Sequence, residues 1–105
     1  MRGDIYELRA NANAKGHEQQ GRRYAVVLQS DVLVMSTTVT APTSTSAREA
    51  SHRPEIKLNG LKTKVLVEQM QAVDPEARFG RKVGRVSFDE LQDIGRAMKL
   101  VLGLF

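Results

Sequence analysis

Residues 16–28 read G-H-E-Q-Q-G-R-R-Y-A-V-V-L, a glycine-bounded polar loop that runs through Arg22 and Arg23 directly into an apolar run. Four consecutive apolar residues, Ala25, Val26, Val27 and Leu28, predict a core strand over 24–29 that is covered on both faces. A charged side chain at the entrance of such a strand is held in a fixed place. Upstream, residues 9–21 contain no large apolar side chain and carry Asn11, Asn13, Gly16 and Gly21, which predicts a solvent loop that delivers His17 and Glu18. Before it, D-I-Y-E-L at 4–8 alternates in the manner of a short first strand.

Downstream, V-L-V-M-S-T-T-V-T-A at 32–41 is rich in β-branched residues and predicts a strand, with Pro42 expected to stop it and Thr40 at its exit. Residues 42–54 are rich in Ser and Thr, carry Arg48, His52 and Arg53, and lack an apolar period, so they are expected to form a mobile surface loop. Residues 55–58 alternate, Asn59-Gly60 is a hairpin-turn dipeptide, and residues 61–73 are expected to continue as one longer strand. Asp74-Pro75-Glu76 marks a turn before a last strand at 81–86. Ser87 and Glu90 then form a capping box. Phe88, Leu91, Ile94, Met98, Val101, Leu102 and Phe105 follow at spacings of three and four, the signature of an amphipathic helix. The expected fold is mainly β with helices: a small antiparallel barrel or strongly bent sheet with a C-terminal helix that covers it or pairs with a second subunit.

The 105 residues suit one domain with one core. Sixteen Lys and Arg against twelve Asp and Glu leave a net charge of +4, with basic clusters near 22–23, 48–64 and 78–85, which favours a polyanionic partner mildly. The absence of cysteine excludes disulfides, thiolate catalysis and cysteine-based zinc sites. No stretch approaches the roughly 20 apolar residues that span a bilayer, and the N-terminus lacks a secretory signal pattern, so a cytoplasmic protein with no membrane partner is expected.

The N-terminal R-G-D-I-Y, the stretch G-H-E-Q-Q-G-R-R-Y-A-V-V-L, the strand end T-T-V-T-A, L-V-E-Q-M-Q-A-V-D and the closing helix together resemble the MazF/PemK family of toxin endoribonucleases. The resemblance covers almost the whole of 1–105. It implies an SH3-like, CcdB/PemK-type barrel, and a ribonuclease that needs no metal or other cofactor. Such an enzyme cuts single-stranded RNA through the ribose 2′-hydroxyl, leaving a 2′,3′-cyclic phosphate and a 5′-hydroxyl. It also implies a homodimer and a cognate acidic antitoxin of the MazE type.

By the family pattern, Arg23 matches the arginine that stabilises the phosphorane, and Thr40 matches the threonine that holds the phosphate. His17 and Glu18 are the better proton carriers by pKa. Gln19, Arg22 and Tyr24 beside the arginine, Glu68 and Gln69 of the later strand, and Arg48 and Arg53 of the loop are the expected RNA contacts. Asp74 matches the family's aspartate and is expected to open a turn. Tyr24 stands where most relatives carry proline, and its ring can stack on a base. Leu66 stands where some carry an arginine, and the connection between Asp31 and Thr37 is short for the family. Two other readings fit the same barrel: a non-catalytic nucleic-acid-binding module, and a module that poisons gyrase.

Overall fold

The structure, a computed structural model, describes residues 1–9 and 23–104. The elements run β1 Asp4–Leu8, β2 Arg23–Val27, β3 Thr38–Ser44, β4 Glu55–Leu58, β5 Leu61–Val65, a 3-10 turn Val67–Gln69, β6 Gln71–Val73, α1 Pro75–Arg78, β7 Phe79–Arg85 and α2 Phe88–Leu102. Every strand pairing is antiparallel, and the sheet order is β4-β5-β3-β2-β1-β7, with β6 beside β3. This mainly-β curled sheet with a C-terminal helix on it is the expected fold class. Among the described residues no helix is long and apolar enough to cross a membrane.

Strand β2 lies between β1 and β3, and Ala25 and Val26 are fully buried, as a strand covered on both faces requires. Strand β3 is displaced from its expected place: it spans 38–44, not 32–41, and passes through Pro42. Gln29 explains the late start. Its Oε1 accepts from Val39 N at 3.1 Å and its Nε2 donates to Leu33 O at 3.1 Å, so the preceding segment folds back as a turn. Val32 to Met35 are left exposed.

Pro42 is tolerated because of where its missing donor points. Its carbonyl accepts from Leu66 N at 2.8 Å, on the side away from β2. In a strand the N–H and C=O of one residue point the same way, so the absent N–H faces the gap where β6 pairing ends and β5 pairing begins.

The expected strand over 61–73 is broken in two. The break falls in a buried stretch, Val65, Leu66 and Val67, of which Val65 and Val67 join the core. The chain leaves extended geometry at Leu66 (φ −86°, ψ 76°), makes one 3-10 turn, and resumes as β6. Glu68 and Gln69 therefore sit on a turn rather than on a strand face. Strand β7 begins two residues earlier than expected, at Phe79, whose ring stacks on Tyr6 of β1 with centroids 4.5 Å apart.

Helix α2 starts where the capping box places it. Ser87 Oγ accepts from Glu90 N at 3.1 Å, and Glu90 Oε1 accepts from Ser87 N at 2.8 Å. The second oxygen of Glu90 accepts from Lys57 N of β4 at 2.8 Å, so one carboxylate both caps the helix and ties it to the sheet edge. Ile94 and Ala97 enter the core beside Ile5, Val26, Ile56, Val65 and Val67, with Leu91 and Met98 packed against them. Burial of a side chain such as Ile94 is worth about 2 kcal/mol. The apolar stripe is wider than the sheet it covers: Phe88, Val101 and Leu102 remain exposed, and Phe105 lies outside the described residues.

Candidate functional site

Arg23 is the first residue of β2, paired in register with Leu8 of β1, so the apolar strand behind it fixes where the guanidinium emerges. It is half-buried, and that burial pulls its pKa below the ordinary arginine value while leaving it a cation at neutral pH. Tyr24 follows. Its backbone carbonyl accepts from Thr43 Oγ1 at 3.3 Å, which brings the end of β3 against the start of β2.

Ser44 turns the chain out of β3. Its Oγ accepts from Ser46 N at 3.2 Å and from Ala47 N at 3.1 Å, curling the segment toward Arg23. Arg23, Thr43, Ser44 and Ser46 thus line one cleft of about 300 Å³, whose other wall is the β4–β5 hairpin. A fixed cation facing several hydroxyls suits an anion with multiple oxygens, because a guanidinium fork and O–H donors bind phosphate directionally.

Among the described residues Thr40 does not line this cleft. It sits opposite Val27, four residues along β2 from Arg23 or about 13 Å. Only 1% of its surface is exposed, and its hydroxyl has no hydrogen-bond partner among the described residues. Thr43, three residues further along β3, does line the cleft with Arg23.

Tyr24 lines the cleft as expected. His17, Glu18, Gln19 and Arg22 lie outside the described residues. Glu68 and Arg53 meet each other: Arg53 Nε and Nη2 both donate to Glu68 Oε2, at 2.9 and 2.7 Å, and His52 Nε2 stands 3.8 Å from Glu68 Oε1. Arg53 Nη1 also donates to Arg48 O at 3.3 Å. Arg48 and Gln69 are exposed, and neither lines the cleft. The segment expected to be a mobile loop begins only after Ser44 and is tied to the sheet. Lys64 Nζ lies 2.9 Å from Glu49 and 3.1 Å from Glu55, contacts that raise its pKa. Asp74 opens its turn as expected, capping α1 through Glu76 N at 3.0 Å.

Partial burial alone would raise the Glu68 carboxyl, but the Arg53 hydrogen bonds and the positive charge of Arg53 hold it below the usual glutamate value. The folded state therefore favours ionised Glu68. Its contribution is present above the unfolded pKa near about 4.3 and disappears as pH falls through the lower folded value. We expect Glu68→Gln to cost about 1 kcal/mol at pH 7 and nothing at pH 2. Urea unfolding at both pH values measures this, and an equal cost at both would show that the ion pair is not the source.

The sequence signal for Thr43 was available in T-V-T-A-P-T-S. Thr40 and Thr43 are three residues apart and so face opposite sides of a strand. The signal became usable only once β3 was known to continue past Pro42. Asn59 and Leu61 also line the cleft, and in the sequence they read only as a hairpin turn and its exit.

A curled antiparallel sheet with a C-terminal helix, and a cation-and-hydroxyl cleft where β2 meets β3, places the chain among proteins of the MazF toxin fold. MazF of Deinococcus radiodurans superimposes with a TM-score of 0.81 at 23% identity, covering 98% of this chain and 96% of that one. An endoribonuclease solved in complex with its cognate antitoxin, from a mycobacterial species, gives 0.82 at 16% identity over 100% and 96%. A proposed toxin of Mycobacterium tuberculosis is 36% identical over 104 residues, covering 99% of this chain and 98% of its own. Residues 1–102 match the PemK-like, MazF-like toxin family of type II toxin-antitoxin systems. The chain belongs to that family.

Proposed function

We propose that this toxin is an endoribonuclease that cuts single-stranded RNA without a metal, with the scissile phosphate in the cleft between Arg23 and Thr43. The observation that carries the reading is the gathering of Arg23, Thr43, Ser44 and Ser46 around one cleft. In the reaction, the ribose 2′-oxygen forms a bond to the adjacent phosphorus and the bond to the 5′-oxygen of the next nucleotide breaks. The products are a 2′,3′-cyclic phosphate and a 5′-hydroxyl. Internal attack needs stabilisation of the charge that builds on the phosphate oxygens and a route for two protons, but no protein nucleophile.

Arg23 supplies the charge stabilisation. Because it remains protonated, the base that takes the 2′-hydroxyl proton is another group, and His17 or Glu18 of the preceding loop has the suitable pKa. In the free protein the Thr43 hydroxyl donates its one proton to the Tyr24 carbonyl, and on binding RNA it donates that proton to a phosphate oxygen instead. The protein acts in the cytoplasm as a homodimer, joined through the α2 surface that leaves Phe88 74% and Leu102 53% exposed. An acidic antitoxin segment of the MazE type covers the basic cleft and blocks it.

The test is cleavage of single-stranded RNA by the purified protein in excess EDTA, with product ends determined chemically. Cyclic-phosphate and 5′-hydroxyl ends are expected. Products with 3′-hydroxyl ends, or a strict magnesium requirement, would overturn the mechanism. Intact RNA across all sequences, with binding retained, would favour a non-catalytic module.

A further inference from the structure

The cleft has two chemically different ends. Arg23, Thr43, Ser44 and Ser46 form the polar end, whereas the β4–β5 hairpin supplies Asn59 and Leu61 at the other. About 300 Å³ is the lower limit of ligand pockets, room for one nucleotide rather than a length of strand. If the phosphate of that nucleotide lies at the polar end, its base lies against the hairpin.

The hairpin is built to hold that position. Asn59 and Gly60 have φ of +53° and +79°, the two positive angles of a type I′ turn, and Leu58 and Leu61 pair across it. Thr63 Oγ1 donates to Leu61 O at 3.1 Å, bracing the strand just after the turn from a buried residue. Leu61 nevertheless keeps 60% of its surface exposed, so the core does not account for a leucine there. An apolar surface facing Tyr24 across a narrow cleft suits the flat face of a base.

From this arrangement we infer that the Asn59 side-chain amide reads the base of the nucleotide whose phosphate Arg23 holds, with Leu61 and Tyr24 on the faces of that base. The inference rests on the nuclease reading above. An amide offers one donor beside one acceptor, which matches an exocyclic amino group next to a ring nitrogen, as in adenine and cytosine. Guanine and uracil offer the inverse pair, a carbonyl beside a ring N–H, on their Watson–Crick edges, so the orientation of the amide decides which of the two pairs of bases is read.

Asn59→Gly and Asn59→Asp provide the test, because both residues tolerate positive φ and leave the turn intact. Each variant and the wild type are given a pool of single-stranded RNA of random sequence, and the cleaved positions are read. The wild type is expected to prefer one of these two pairs of bases, adenine and cytosine or guanine and uracil, at one position beside the cut. Asn59→Gly is expected to reduce that preference about ten- to hundredfold, with other positions and the melting temperature unchanged. Asn59→Asp, which only accepts, is expected to move the same position toward guanine, whose N1–H and N2–H2 are adjacent donors. Leu61→Ala is expected to raise KM about fivefold with kcat retained.

A wild type that cuts RNA with the same base profile as Asn59→Gly would overturn the inference and leave the nuclease reading standing. A wild type that cuts no RNA in the pool would overturn both.

Discussion

Arg23→Ala is expected to lower the rate of RNA cleavage by about a thousandfold while the protein stays folded, because it removes the one cation among the described residues that line the cleft proposed to hold the phosphate. The reasoning is electrostatic. Charge grows on the non-bridging oxygens only as the 2′-oxygen attacks, so a prepositioned guanidinium favours the transition state over the bound substrate. Its effect therefore falls on kcat as well as on kcat/KM. Arg23→Lys keeps the charge and loses the planar fork, so an intermediate loss of about ten- to hundredfold is expected. Single-turnover cleavage and a thermal melt on the same preparations decide it. An Arg23→Ala protein of wild-type stability and wild-type rate would remove this residue from the chemistry.

The parts of the fold set by local rules could be read from the residues alone. Alternation placed β1, the Asn59-Gly60 dipeptide placed the β4–β5 turn, and the Ser87–Glu90 box placed the start of α2. What resisted reading depends on contacts distant in the chain. Gln29 of the β2 exit closes a turn onto Val39, and no local preference of V-L-V-M announces that four β-favouring residues will stay outside the sheet. Pro42 is acceptable only because Leu66, 24 positions later, meets its carbonyl from the side where no ladder bond is needed. Arg23 stands at the start of β2, where the apolar run behind it predicts a strand entrance, because both lie within one short stretch. Thr40, expected at a strand exit, lies inside β3 instead, because the strand continues through that proline to Ser44.

The two threonines give opposite expectations when each is replaced by valine. Thr43→Val removes the hydroxyl that lines the cleft and donates to the Tyr24 carbonyl, so cleavage is expected to fall about a hundredfold, with about 1 kcal/mol of stability lost along with the hydrogen bond. Thr43→Ser keeps the hydroxyl and is expected to restore most of the rate. Thr40→Val does something different. Its hydroxyl is buried without a partner among the described residues, so an isosteric methyl group relieves an unmet desolvation cost of about 1–3 kcal/mol. Valine also favours the strand, so the variant is expected to melt several degrees higher and cut RNA at the wild-type rate. Rate and melting temperature thus separate the roles: the phosphate-holding residue loses rate when changed, and the core residue gains stability. A Thr40→Val protein that folds normally but no longer cuts, beside a fully active Thr43→Val protein, would reverse the assignment and place the phosphate further along β2 than Arg23 allows.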